Sequence, residues 1–317
     1  MSLLDGYRAS LKPLEIEEPI DVYVHRPLGY LVAKLTFHTP ISPDLITLLS
    51  IFVGVSGGVV MLTHVAYRMQ IGAALIFLSA VLDCADGQLA RMRKTSSAFG
   101  RMIDGVADLF VIGTVAPVSL FIVWQRYNSP TWLGVTVVLL GLATFVTSSF
   151  HTTTYDHCKN VYLRLTSPTY KDGEDYESAL DRWKQTHATQ AWWKRIAWRI
   201  YLFYLGSQRD YALKFDPWTS ARLNLFPPYD EKRAEIYRRH VRPIMRVLKG
   251  FYGFGSLVFG LALVNFFDRA EVLLLFRLII LNAVFYLYIR PAQRRASRAA
   301  FKEMGIRLPD QPEESQA

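Results

Sequence analysis

Polar and apolar positions along this chain fall into long blocks rather than a short-range alternation. No Asp, Glu, Lys or Arg interrupts the 23 residues Leu45–Tyr67, the 17 residues Leu109–Gln125, the 29 residues Tyr127–Tyr155 or the 18 residues Gly250–Phe267. A helix needs roughly 20 mostly apolar residues to cross a bilayer core of about 30 Å. The blocks predict spans near 45–67, 69–91, 101–124, 131–151, 250–267 and 271–289, an all-α polytopic membrane bundle of about six helices. The second span is unusual, because only the 14 residues Met69–Leu82 separate Arg68 from Asp83. It reaches full length only if the helix runs on through Asp83 and Asp86 toward Arg91. At 1.5 Å per residue Asp83 then stands about 21 Å from Met69. The third span mirrors it, with Asp104 and Asp108 on its first turns, so both pairs of carboxylates fall at one depth on one side.

The rest of the chain divides around these spans. Residues 1–44 form an N-terminal interfacial, amphipathic segment, 45–151 hold spans one to four, 152–249 are a long insert, 250–290 hold the last two spans, and 291–317 are a basic tail, disordered after Pro309. Within the insert, Ala191–Leu205 mixes Trp, Arg and aliphatics as a helix lying in the interface does. Residues 207–230, with Pro217, Pro227 and Pro228, read as irregular, and Asp230–Leu248 as a basic helix.

Composition narrows the classes. With 317 residues, 51% hydrophobic and 20% charged, the chain is neither disordered, collagen-like nor a small disulfide scaffold. Its two cysteines, Cys84 and Cys158, sit in no CxxC or CxxH spacing, so a thiolate metal site is unsupported. Charges at Asp5, Arg8, Lys12, Glu15, Glu17 and Glu18 precede any long apolar run, unlike a secretory signal. The net charge of +9 lies mostly on one side of the spans, which places both termini, the insert and the aspartates in the cytoplasm. Nucleic-acid binding is a poor explanation of that charge in a membrane protein. The same arginines also suit anionic lipid. Arg277 interrupts the sixth span near its outer end, where it is expected to snorkel.

Chemistry concentrates in Asp83-Cys-Ala-Asp86-Gly87-Gln-Leu-Ala90-Arg91 and Gly100-Arg101-Met-Ile-Asp104-Gly-Val-Ala-Asp108. The i, i+3 and i, i+4 spacings put each aspartate pair on one helix face. Gly87, Ala90 and Gly100 add small residues one turn away, where two helices or a flat ligand approach closely. Four facing carboxylates repel strongly in a low dielectric, and one or two divalent cations neutralise them. All-oxygen ligation points to Mg²⁺ or Mn²⁺, with Ca²⁺ also compatible. Loop-tip Asp-Gly turns would leave both spans too short for a membrane, and intramembrane ionisable residues default to function.

The pattern D-x-x-D-G-x-x-A-R-x8-G-x-x-x-D-x-x-x-D, with eight fixed positions over 26 residues, resembles the signature of the CDP-alcohol phosphotransferase (CDP-alcohol phosphatidyltransferase) family. The resemblance covers roughly residues 40–150. It implies a CDP-linked donor, an alcohol acceptor and release of CMP. By that resemblance Asp83, Asp86, Asp104 and Asp108 hold the metals, and Asp108 also takes the proton of the attacking hydroxyl. Gly87, Ala90 and Gly100 make room for the cytidine and Arg91 faces its anions. The family's Pro-Asn-x-x-Thr stretch reads Pro43-Asp44-Leu45-Ile46-Thr47 here; Pro43 and Thr47 match and Asp44 departs. A homodimer is implied by the resemblance alone. Candidate acceptor contacts are Arg93, Lys94, Arg101 and His151. The donor reads as CDP-diacylglycerol, with CDP-choline or CDP-ethanolamine transfer to a lipid alcohol as the alternative. A divalent-cation transporter is the rival from another class; it would set its carboxylates nearer the midplane.

Overall fold

A computed structural model describes residues 3–11, 13–95, 98–168, 176–186, 192–225 and 229–307, with only the backbone described in parts of some helices, including 98–107. Among the described residues every regular element is helical. Helix α1 is Leu3–Ser10. A π-helical turn, Asp21–His25, runs directly into α2, Arg26–Thr36. Then come α3 (Pro43–Met61), α4 (Arg68–Arg93), α5 (Ala98–Tyr127) and α6 (Thr131–Thr166). Four further helices follow: α7 (Tyr176–Thr186), α8 (Trp192–Phe215), α9 (Pro217–Arg222) and α10 (Glu231–Phe251). Helix α11 is Phe254–Phe266, and α12, Ala270–Glu303, contains π-helical turns at Phe276–Leu281 and Phe285–Ile289. Six segments are long and apolar enough to cross a membrane: α3, α4, Asp108–Tyr127 of α5, α6, the run Glu231–Phe266, and α12.

Two stretches differ from the apolar pattern. The first span ends at Met61 rather than near residue 67, because Thr63 turns back on the helix. Its amide and hydroxyl both donate to Val60 O, at 3.0 and 2.7 Å, and occupy carbonyls that a continuing helix would use. The stretch 207–230 is largely helical. Helix α8 continues to Phe215, and Pro217 then starts α9 at a position where its missing N–H costs nothing. Asp216 caps that start, accepting from Thr219 N at 3.1 Å and Thr219 Oγ1 at 2.8 Å. The tail after Pro309 lies outside the described residues.

The chain forms two compact units, Met1–Phe150 with Lys249–Ala283, and His151–Leu248 with Val284–Ala317. In the first, α3 and α4 approach with glycine at the crossing. A Cβ on Gly57 would lie 2.8 Å from Gly72 O, and one on Gly72 would lie 2.4 Å from Met61 Cγ. Lipid tails offer no hydrophobic drive for helix association, so close packing of this kind carries much of it. Met61, Ile76, Val115 and Val258 fill the adjoining core. Ala33, Ile46, Ala85 and Leu89 join α2, α3 and α4 in a second cluster.

The N-terminal segment is part of this unit. Gly29 packs against the α4 backbone, where a Cβ would stand 3.0 Å from Ala85 N. Buried Glu18 caps α11, accepting from Gly255 N at 3.0 Å and Ser256 N at 2.8 Å. Burial pushes its carboxyl up to about 7, with Asp21 adding to the rise and the Gly255 and Ser256 hydrogen bonds opposing it. In the second unit, buried Asp216 also accepts from Gln293 Nε2 at 3.1 Å and from Ser297 Oγ.

Candidate active site

Helix α4 carries Asp83 and Asp86 less than one turn apart, hence on one face. Their helical context comes from Arg68–Arg93 running unbroken through them to a C-cap at Lys94, in the left-handed region at φ 53°. Asp86 is buried and Asp83 half-buried. A buried carboxylate needs hydrogen bonds or a cation to hold its charge, and α3 provides one partner. Thr47 Oγ1 donates to Asp86 Oδ2 at 2.5 Å, and the same hydroxyl lies 3.2 Å from Pro43 O.

The start of α3 fixes that threonine. Ser42 is the N-cap, its Oγ accepting from Leu45 N at 3.2 Å, and Pro43 opens the helix. Asp44, which departs from the family's asparagine, stands in the first turn, where the helix dipole favours negative charge. Thr47 is one turn further in. Behind it, Ser79 of α4 donates to Ser50 O at 2.7 Å, tying the two helices together one turn deeper.

Gly87 and Ala90 are half-buried on α4. The atoms nearest a Cβ on Gly87 would be those of the Arg91 guanidinium, with Nη1 at 3.4 Å, so what lies over Gly87 is the movable end of a side chain. Arg91 turns toward the N-terminal segment, its Nε donating to Ser10 O at 2.8 Å, and Gln88 Nε2 donates to Ser10 Oγ at 3.0 Å. Arg93 donates to the carbonyls of Thr36, Phe37, Thr39 and Ile41. Its guanidinium is therefore occupied within the fold, while Lys94 beside it is exposed.

Asp108 is half-buried on α5. Gly100, Arg101 and Asp104 are described by their backbone alone, on α5, which is continuous from Ala98 and sets Asp104 one turn before Asp108. His151 belongs to the other compact unit, buried with its ring centroid 5.2 Å from that of Phe285. Arg277 does not snorkel. It is 2% exposed, with Nε donating to Ser148 Oγ at 2.7 Å, because its face of α12 turns into the helix packing rather than toward lipid.

Asp83, Asp86 and Asp108 offer carboxylate oxygens alone, which suits a hard divalent cation. A second group differs in chemistry: Asp21, His25 and Cys84 bring one ligand atom each within 4.8 Å of one another. There His25 Nδ1 is 2.8 Å from Asp21 Oδ1, and the ring packs against both Phe77 and Phe259. Cys84 is about 100° around α4 from Asp83, so this group occupies another face of the helix. Sequence reasoning did not anticipate the contacts of Ser10 with Gln88 and Arg91. The amphipathic pattern of the N-terminal segment was the available signal, and it does not say which helix that segment meets.

Residues 40–163 match the family model described as CDP-alcohol phosphatidyltransferase. Among similar curated proteins, a bifunctional IPC transferase and DIPP synthase of Rubrobacter xylanophilus is 32% identical over 90 residues, 28% of this chain and 20% of that protein. A CDP-diacylglycerol–serine O-phosphatidyltransferase of Helicobacter pylori is 34% identical over 86 residues, 27% of this chain and 35% of that protein. The chain thus aligns with about a third or less of the length of these relatives.

Proposed function

Since residues 40–163 are a domain of the CDP-alcohol phosphatidyltransferase family, we propose that the protein is a phospholipid-synthesising transferase. It moves the phosphate-bearing group of a CDP-linked alcohol onto the hydroxyl of an acceptor alcohol and releases CMP. The donor we favour is CDP-diacylglycerol, the donor in the name of the Helicobacter pylori relative. The observation that carries the reading is the buried Thr47–Asp86 bond. It joins the separate Pro-x-x-x-Thr stretch of α3 to the aspartate motif of α4, as one nucleotide-and-metal site requires.

The residues present suit divalent cations, Mg²⁺ or Mn²⁺. Asp83, Asp86, Asp104 and Asp108 would hold them, and the bound metal would neutralise the donor diphosphate and the leaving CMP. The chain's own residues do the remaining work. Thr47 holds one oxygen of Asp86 and so fixes the orientation of the carboxylate. Gly87 and Ala90 keep side-chain bulk off this face of α4 for the flat cytosine, with the movable Arg91 guanidinium lying over Gly87. Asp108, half-buried one turn beyond Asp104, takes the proton from the attacking hydroxyl. A carboxylate is a weak base beside cations, so its contribution rests on placement rather than on basicity. The site lies toward the cytoplasmic end of the spans, with Lys94 on the acceptor side.

The test is metal-dependent CMP release by the purified protein in liposomes, offered CDP-diacylglycerol and then CDP-choline and CDP-ethanolamine, each with a panel of alcohols. Release with Mg²⁺ or Mn²⁺ that falls at least about a hundredfold in Asp108→Asn supports the reading. Productive turnover only with an aminoalcohol donor would move the lipid to the acceptor side. Absence of any cytidine-nucleotide binding would overturn the assignment and favour cation transport.

A further inference from the structure

Arg277 presents an unsolved problem of charge. It sits on α12 among membrane-spanning segments, 2% exposed. Its Nε is bonded to Ser148 Oγ at 2.7 Å, and its Nη1 reaches Phe251 O only at 3.5 Å. Nη2 is buried with no hydrogen-bond partner. No carboxylate pairs with it among the described residues. Glu18 is engaged by the amides of Gly255 and Ser256, while Asp268 and Glu271 pair with Arg126. A buried guanidinium with no ion-pair partner is costly, even with Glu18 within electrostatic reach, and more so in a membrane interior.

The same side chain lines a cavity of about 330 Å³ between α5, α6, α11 and α12, whose lining residues all belong to one compact unit. Its walls are mainly apolar, including Ala116, Leu120, Leu142, Phe145, Leu257 and Leu273. The neutral polar groups on the wall already have partners. Ser119 is bonded to Asn265 at 2.9 Å, Thr144 donates to Leu140 O at 2.8 Å, and Ser148 accepts from Arg277. The cavity therefore combines one unsatisfied cation with an apolar chamber.

We propose that this cavity binds a single-chain carboxylate amphiphile, a long-chain fatty acid, with its carboxylate at the Arg277 guanidinium and its chain along α5 and α6. The charge calls for an anion, and the fork of Arg277 matches a carboxylate. The apolar walls call for a chain. A volume near the lower end of ligand pockets, ~300 Å³, has room for one chain rather than two. A phospholipid headgroup would bring further polar atoms that this wall has no free group to satisfy.

Binding is read without any CDP-linked donor, so its outcome is independent of the transferase reading. The purified full chain in non-ionic detergent would be photolabelled with a diazirine-tagged palmitate. Saturable label is expected on the α5, α6 and α12 segments lining the cavity. Palmitate should displace it, and methyl palmitate, with the same chain and no charge, should not. Arg277→Met should lower the affinity about tenfold or more, the loss expected for one charged hydrogen-bonded contact, while Arg277→Lys keeps most of it. Ala116→Phe fills the chamber without touching Arg277 and should lower it similarly with an unchanged melting temperature. Equal displacement by the methyl ester, wild-type labelling in both Arg277→Met and Ala116→Phe, or tighter occupancy by a two-chain phosphatidate would each overturn the proposal.

Discussion

Thr47→Val replaces a hydroxyl by a methyl of nearly the same size, so the perturbation is chemical rather than steric. Thr47 is 4% and Asp86 6% exposed, so water cannot take over the lost hydrogen bond. A hydrogen bond to a charged group contributes roughly 1.5–3 kcal/mol, and here the acceptor is the Asp86 carboxylate. If Asp86 holds a metal and Thr47 orients it, that energy appears as metal affinity. At 1.4 kcal/mol per tenfold, the metal needed for half-maximal rate should rise about 10- to 100-fold, the range found for other partners of metal ligands. The assay is CMP release over a Mn²⁺ titration in Thr47→Val, Thr47→Ser and the unaltered protein. Thr47→Ser keeps the donor and should stay close to the unaltered curve. At saturating metal, Thr47→Val should recover most of its maximal rate. A Thr47→Val protein that folds, turns over and shows an unchanged metal half-saturation would refute the reasoning, because Asp86 would then be no ligand that Thr47 orients.

Two further outcomes concern the scaffold. Glu18 has its folded carboxyl raised to about 7, so between about 4.5 and 7 the folded state binds more protons than the unfolded one, and stability falls as pH rises. The melting temperature should drop from pH 5 to pH 8 by an amount worth up to about 3 kcal/mol, and Glu18→Gln should flatten that slope; an equal slope in both proteins would contradict it. Gly72→Ala drives a Cβ to 2.4 Å from Met61 Cγ and 2.7 Å from Gly57 O, an overpacking that should cost about 1–3 kcal/mol, whereas Gly113→Ala meets nothing within 4 Å and should leave thermal unfolding in detergent unchanged.

The helices were legible because the apolar blocks are long, and Asp83 and Asp86 because a short second span forces α4 to continue through them. Thr47 stood out through the resemblance of Pro43-x-x-x-Thr47 to the family's stretch, and its bond to Asp86 is what the fold adds. What escaped the sequence has a common cause: hydropathy records how apolar a stretch is, not which way each residue faces. Arg277 reads as a helix-end arginine until the packing of α12 turns it inward against Ser148. Arg93 reads as an acceptor-side cation until the residues it meets, 36–41, are brought to it across more than 50 positions of chain. Asp216-Pro217 reads as a break, yet the same two residues end one helix by starting another.

The Arg93 contacts have a consequence for how a ligand meets this protein. The connection from α2 to α3 would ordinarily be a pliant joint, with carbonyls open to solvent and many shapes of similar energy. One planar cation binds the oxygens of Thr36, Phe37, Thr39 and Ile41 at once, which locks the joint to the end of α4. The N-terminal end of α3, with Ser42, Pro43 and Thr47, is thereby set against α4 before any nucleotide arrives. The ordering entropy is met during folding, and the arriving ligand has less to freeze. Lysine, a single point of charge, could not hold four carbonyls in one plane. The stiffness of this end of the site therefore depends on an arginine that need never touch the substrate.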